Sequence, residues 1–317
     1  MLPKIRLLRN FSPESITNHD WRYVGCLMNK LQVDCGVLLD DWYDFSYRDG
    51  IRHGEKWIGF LHAIQQPPKT HLFDLIPRLR SERPSGVRWK SLAELTLDPL
   101  FLNSLEQCVG LFTLSRTNTI FLQDRLSCPI ESLPLIVPEP SSKFCYDEFI
   151  KDPKIIHVGQ YMRNYQSFFN LKDYGYRKIF LMMKNFPFSD ESCFYTKTSN
   201  TTFVDFLPFD KLDEIRNQSV SYLDFYGEFA CVVLLQNIVR NIPTLTNRTK
   251  TNVEYLGENY PLFFDSHEEA ECKLQNKELI YQAHKYLVDL TKITDDCFLS
   301  SFVNSNIYRS LPWISLI

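Results

Sequence analysis

Short, continuous apolar runs recur along the chain, each halted by a polar or turn-forming residue. Val33 to Leu39 ends in Asp40-Asp41, Trp57 to Leu61 in His62, and Val109 to Leu114 in Ser115. Leu133 to Val137 runs into the Pro/Ser-rich stretch Pro138-Glu139-Pro140-Ser141-Ser142. Runs of this length without polar alternation suit strands buried on both faces of a parallel sheet. The second half repeats the grammar. Lys154 to Val158 is a strand that stops at Gly159, and 160–171 is a helical segment. Lys178 to Met183, Val220 to Phe225, Ile242 to Thr246 and Pro261 to Phe264 are further strands. Residues 228–240, Glu268 to Leu274, Glu278 to Leu290 and Asp295 to Leu311 carry apolar positions at helical spacing. Strand, helix and strand within roughly 25 residues make a βαβ unit. Two prolines fix φ and block pairing at 138–140, which divides the chain into domains 1–140 and 141–317. The last helix, about 295–311, is expected to cross back. The pattern predicts an α/β protein of two Rossmann-like, doubly wound domains with an interdomain cleft. Ligands of such sheets bind beyond the carboxyl ends of the strands.

The length supports this division, because 317 residues exceed what one hydrophobic core usually serves. With 44% apolar and 23% charged residues the composition is that of an ordinary globular chain. A net charge of −3 leaves no polycationic footprint for nucleic acid. The longest apolar runs, such as Phe229 to Leu235, fall far short of the ~20 residues that span a bilayer. No apolar leader opens the chain, so a cytoplasmic location is expected. The nine cysteines include no C-x-x-C pair and are predicted to act mainly as small core hydrophobes. Neither a P-loop, a G-x-G-x-x-G, an H-E-x-x-H nor a G-x-S-x-G is present, which argues against the enzymes that depend on them.

One segment carries more information than the rest. Residues 219–264, from Ser219-Val220-Ser221-Tyr222-Leu223-Asp224 through Arg240-Asn241-Ile242-Pro243 to Glu254-Tyr255-Leu256-Gly257, resemble the nucleotide-sugar-binding half of glycosyltransferases with the GT-B fold. Trp57 to His62, Cys108 to Ser115 and Ile156-His157-Val158-Gly159-Gln160-Tyr161-Met162-Arg163 resemble that family's other strand ends, in the family's order. The resemblance implies transfer of a sugar from a nucleotide-sugar donor to a hydroxyl of a glycan or similar acceptor, without a metal or other cofactor. Retention of configuration is favoured on the resemblance alone.

The same resemblance places the donor on Gly159, Arg163, Lys184, Asp224, Tyr226, Gly227, Ala230, Cys231, Gln236, Arg248 and Glu254. Physical chemistry supports part of that set. A helix opening near Gly227 to Cys231 offers unpaired N–H groups to a diphosphate, and the Arg163 fork is always charged. No D-x-D pair is placed to hold a metal. In the first domain His62 is expected against the donor sugar, and Asp40 or Asp41, with Asp44 nearby, as a general base or as helix-capping carboxylates. Two positions depart from the family: Gln236 stands where a ribose-binding glutamate is common, and Asn164 where a second basic residue is common. These departures keep two rivals open, a catalytically silent nucleotide- or glycan-binding module and a sugar-nucleotide epimerase.

Overall fold

A computed structural model of the chain describes residues 4–9, 21–63, 65, 90–159, 162–181, 200–204 and 207–312. The chain folds into two compact units. One comprises Met1–Pro138, Gly227–Ala230 and Ile293–Ile317; the other comprises Glu139–Tyr226 and Cys231–Lys292. Both are Rossmann-like α/β units with parallel sheets, as the apolar runs predict.

The first unit holds strands β1 (Ile5–Leu7), β2 (Val37–Asp40), β3 (Trp57–Leu61), β4 (Cys108–Thr113) and β5 (Ile130–Ser132), paired in sequence order. Every residue of β2 and β3 is buried, which requires cover on both faces of the sheet. Trp57 and Leu61 join Leu38, Tyr43, Phe101, Leu111 and Leu122 in one apolar cluster. Phe60 alternates with them along β3 and so points to the opposite face. There it stacks on Phe112, and Phe302 from the helix Asp295–Asn304 closes to 5.2 Å from the Phe112 ring. Gly110 lies so close to the helix Asn306–Ser310 that a Cβ there would meet Ile307 at 2.7 Å. The C-terminal segment is therefore part of this unit's core.

Two expectations for this unit are corrected. The apolar run Leu133 to Val137 has no regular structure, and the strand before it is β5. The pattern over 295–311 is two helices, not one. Ser305 leaves the helical region at ψ 150°, and its hydroxyl accepts from the Tyr308 N–H to start the second.

The second unit contains β6 (Lys154–His157), β7 (Arg177–Leu181), β8 (Thr201–Val204), β9 (Ser219–Leu223), β10 (Thr244–Asn247) and β11 (Phe263–Phe264). Their order is β11-β10-β9-β6-β7-β8, all parallel. The winding reverses between β6 and β9, which creates a topological switch point at their carboxyl ends. Helices begin later than the periodicity suggests, at Tyr165 rather than 160 and at Val232 rather than 228. Lys250–Leu256 is a helix that no apolar periodicity marks, capped by Thr249 and ended by Gly257 at φ 81°. Cysteine burial also needs correction: Cys231 is buried, whereas Cys35, Cys145, Cys272 and Cys297 are exposed. No described helix is long and apolar enough to cross a membrane.

Candidate functional site

The loops that follow β6 and β9 are pinned to each other. Gly159 turns the chain at φ 85°, and Met162, at φ 61°, occupies a left-handed conformation that few side chains adopt. The Met162 carbonyl accepts from the Tyr226 N–H at 3.0 Å, and the Asp224 carbonyl accepts from the Asn164 N–H at 2.8 Å. Between these bonds Arg163 forms an isolated bridge with Phe225. Its side chain is only 6% exposed. Nη2 donates to Cys231 Sγ at 3.1 Å, and Cζ lies 5.5 Å from the Phe225 ring centre. A Cβ at position 159 would come within 2.9 Å of the guanidinium, so glycine there serves both the turn and the seat of the arginine.

Cys231 is also the cap residue of the helix Val232–Val239, and its side chain makes no capping bond. The first-turn N–H groups thus carry their partial positive charge without an acceptor from the cap side chain, beside a buried guanidinium. Burial, together with the charge of Arg163, pushes the His157 imidazole down to about 3, so it is neutral at ordinary pH. The arrangement concentrates positive charge at the switch point, where an anion is the natural complement.

A cavity of about 540 Å³ opens at the carboxyl ends of β9, β10 and β11. Asn164, Ser167, Asp224, Asn247, Arg248 and His267 are among its lining residues. Asn164 is the hub of this wall. Its Oδ1 caps the helix Tyr165–Asn170 through Ser167 N–H and accepts from the Tyr226 hydroxyl, while its Nδ2 donates to Asp224 Oδ2 at 2.9 Å. Burial raises the Asp224 carboxyl above the usual range, against the bonds from Ser167 and Asn164. Asn247 clamps the next residue, accepting from Phe225 N–H at 3.0 Å and donating to its carbonyl at 2.8 Å. Arg248 is exposed, with its guanidinium 4.7 Å from the Phe263 ring centre. The volume falls within the ordinary range for small-molecule sites.

In the first unit the carboxyl ends of β2 and β3 bring Asp40, Asp41, Asp44 and His62 together. Asp40 Oδ1 accepts from Arg9 and from the Trp42 N–H, and its Oδ2 lies 2.9 Å from His53 Nε2. Asp41 Oδ1 accepts from Arg9 at 2.7 Å and its Oδ2 from the Trp21 indole at 3.1 Å. Both carboxylates are therefore buried and engaged at both oxygens, a geometry that does not suit the general-base role expected of them. Burial outweighs the Arg9 contact and raises Asp41, whereas the bonds from His53 and Ser46 outweigh burial and lower Asp40. Asp44 is pushed up to about 7 by burial; its Oδ1 accepts from the His62 N–H at 2.8 Å. The His62 ring packs edge-on against Trp21, and burial lowers it to about 4. Its Nε2 lies 3.0 Å from the Asp41 carbonyl, which can only accept, so Nε2 carries the proton and Nδ1 the lone pair.

Of the residues expected on the donor side, Gly159, Arg163, Asp224, Tyr226 and Cys231 meet at the switch point, and Arg248 joins Asp224 around the cavity. Gly227 and Ala230 fall in the short segment that belongs to the first unit. Lys184 lies outside the described residues. Gln236 does not face a ligand: it is 3% exposed, and its Oε1 accepts from the buried Arg216 at 2.8 Å. Glu254 is exposed on the helix Lys250–Leu256, away from the cavity lining. Ser167, Asn247 and His267 join the site without having been singled out by sequence. Asn247 alone has a legible signal, a polar residue closing a short buried strand.

No family model matches the chain, and no curated protein matches its sequence. Solved structures do match its fold. Staphylococcus aureus TarM, as a point mutant in complex with fondaparinux, alpha-GlcNAc-glycerol and UDP, aligns over 91% of this chain with a TM-score of 0.60 and 9% identity. The chain spans only 58% of that protein. An Escherichia coli structure described as trehalose-6-phosphate bound with UDP-2-fluoro glucose aligns over 90% of this chain and 78% of its own, with a TM-score of 0.56 and 11% identity. The UDP-forming alpha,alpha-trehalose-phosphate synthase of Burkholderia vietnamiensis covers 93% and 80%, with a TM-score of 0.51 and 10% identity. The fold shared with these structures is that of the GT-B glycosyltransferases.

Proposed function

We propose that the protein is a GT-B glycosyltransferase that moves a sugar from a nucleotide-sugar donor to a hydroxyl acceptor. One observation carries this reading: the buried Arg163 guanidinium beside the N-terminus of the helix Val232–Val239, which its own cap side chain leaves open, at the switch point of the second sheet. When the bond between the anomeric carbon and the phosphate oxygen breaks, its electron pair goes to the leaving diphosphate. A fixed cation and a row of N–H groups stabilise that growing charge more than they stabilise the donor, which lowers the barrier. Arg163 does this without a metal in the reading proposed here. UDP is the first nucleotide to test, because UDP or a UDP sugar is named with all three of the structural neighbours above.

Retention is the stereochemical course the reading favours, on the family resemblance; Asp40 and Asp41, engaged at both oxygens, are poor general bases for inversion. Gln236 serves the fold interior, and Asn164 caps a helix and holds Asp224, so neither supplies the family's ribose-binding glutamate or second basic residue, and a silent nucleotide-binding module remains the rival reading. The test is calorimetric titration with UDP, GDP and ADP, with and without EDTA. One base binding, unaffected by EDTA and weakened at least tenfold in Arg163→Ala, supports the reading. Absence of binding by any of them, or an unaffected Arg163→Ala, refutes it.

A further inference from the structure

The cap position of the helix Val232–Val239 is filled by a residue poorly suited to capping. Ser, Thr, Asp and Asn dominate such positions because a side-chain oxygen accepts from the first-turn N–H groups. This chain follows the rule at Ser115, Asn164, Thr249, Ser266, Asn276 and Thr294, and departs from it at Trp21, Trp42, Cys145 and Pro208 as well as at Cys231. Cys231 takes the extended cap conformation, φ −108° and ψ 113°, yet leaves the N–H groups to other partners. Its sulfur turns instead to Arg163 Nη2, at 3.1 Å. Both residues are buried, at 3% and 6% exposure, so neither contact is a passing surface encounter.

An oxygen at this position would compete for the helix N–H groups that a diphosphate needs. A sulfur is a weak acceptor with a longer reach and leaves them available. The same atom anchors one arm of the guanidinium. Gly159 packs against the same group, with Cζ and Nη2 nearest to where its Cβ would lie, and the Phe225 ring centre is 5.5 Å from Cζ. The fork is therefore packed against its surroundings, and the thiol at the helix start holds its Nη2. A long side chain held in one rotamer loses less entropy when an anion arrives.

We propose that Cys231 is a positioning residue of the anion site, acting on nucleotide diphosphate through Arg163 and not by touching it. This rests on the donor-site reading given above. The test is a double-mutant cycle on the full chain, using UDP as the probe in calorimetric titration of wild type, Cys231→Ala, Arg163→Ala and the double variant. Thermal midpoints identify any variant that has lost its fold, and Cys231→Val serves in place of alanine if a cavity proves too costly. The expected result is that Cys231→Ala weakens UDP about fivefold, the scale of one hydrogen bond. In the Arg163→Ala background the same substitution then has no further effect, since its effect passes through the guanidinium.

A loss of UDP affinity in Arg163→Ala with none in Cys231→Ala overturns the positioning role alone and leaves the donor site standing. Additive losses overturn it as well, because Cys231 would then act independently. Wild type failing to bind UDP and the other nucleoside diphosphates, or binding unchanged in Arg163→Ala, overturns both.

Discussion

Replacing Gln236 with leucine separates two roles for one residue. Arg216 is 1% exposed and reaches both Gln236 Oε1, at 2.8 Å, and Asn237 Oδ1, at 2.7 Å. Burial, aided by the neighbouring Arg240, lowers the Arg216 guanidinium to about 9, so it is still a cation at neutral pH. Leucine is close to glutamine in bulk, so the dominant loss is a hydrogen bond to a charged donor, about 1.5–3 kcal/mol, in a place water does not reach. A domain of this size loses roughly 2–4 °C of midpoint per kcal/mol, which predicts a fall of about 3–12 °C for the second unit. Thermal and urea unfolding read the stability, and UDP titration reads the ligand. The expected result is a destabilised protein whose UDP affinity is within twofold of wild type. Gln236→Glu, which keeps the acceptor and adds a charge partner for Arg216, is expected to unfold at or above the wild-type midpoint. An unchanged midpoint together with a tenfold loss of UDP affinity in the leucine variant would refute the interior role and return Gln236 to the ribose.

Two further outcomes follow from the same geometry. Gly159→Ala places a Cβ at φ 85° and within 2.9 Å of the Arg163 guanidinium. It should cost about 1–3 kcal/mol by urea unfolding and weaken UDP at least fivefold; an unchanged UDP affinity would show that the arginine's seat is irrelevant to binding. Asp44→Asn concerns pH. The folded carboxyl titrates near 7 while its ordinary value is 3.8, so the folded state holds the extra proton in between, and stability falls as pH rises through that window. Removing the charge should raise the first unit's midpoint at pH 8 and change it little at pH 4, with a gain of up to about 4 kcal/mol. A gain that is the same at both pH values would show that Asp44 is not titrating as described.

Much of the fold is legible in local sequence, for identifiable physical reasons. A strand buried on both faces is mostly apolar, so β2, β3, β4, β6, β7 and β9 stand out despite polar residues such as Ser219, Ser221 and Lys154, with ends misplaced by a few residues. Ends are decided by caps and pairing partners. Lys250–Leu256 carries no clear apolar stripe and reads as loop, yet Thr249 and Gly257 cap it. The break at Ser305 is hidden because both flanking helices continue one apolar pattern.

The candidate site divides in the same way. Gly159, Arg163 and Asp224 can be found from sequence because a glycine turn, an arginine and a strand-ending carboxylate are local features. Their meeting depends on the strand order, which no local pattern contains: β6 and β9 are neighbours only because the winding reverses there. Residue type also misleads where burial decides the role. Asp40, Asp41 and Gln236 have the chemistry of functional groups, but Arg9, His53, Trp21 and Arg216 engage them inside the fold. Asn164, a departure from the family pattern in sequence, is the hub beside the cavity. Local periodicity dictates which segments bury, and hence the α/β class. Which polar atoms find partners within the protein and which face a ligand depends on packing, because hydrogen bonding and desolvation are set by neighbours far away in the chain.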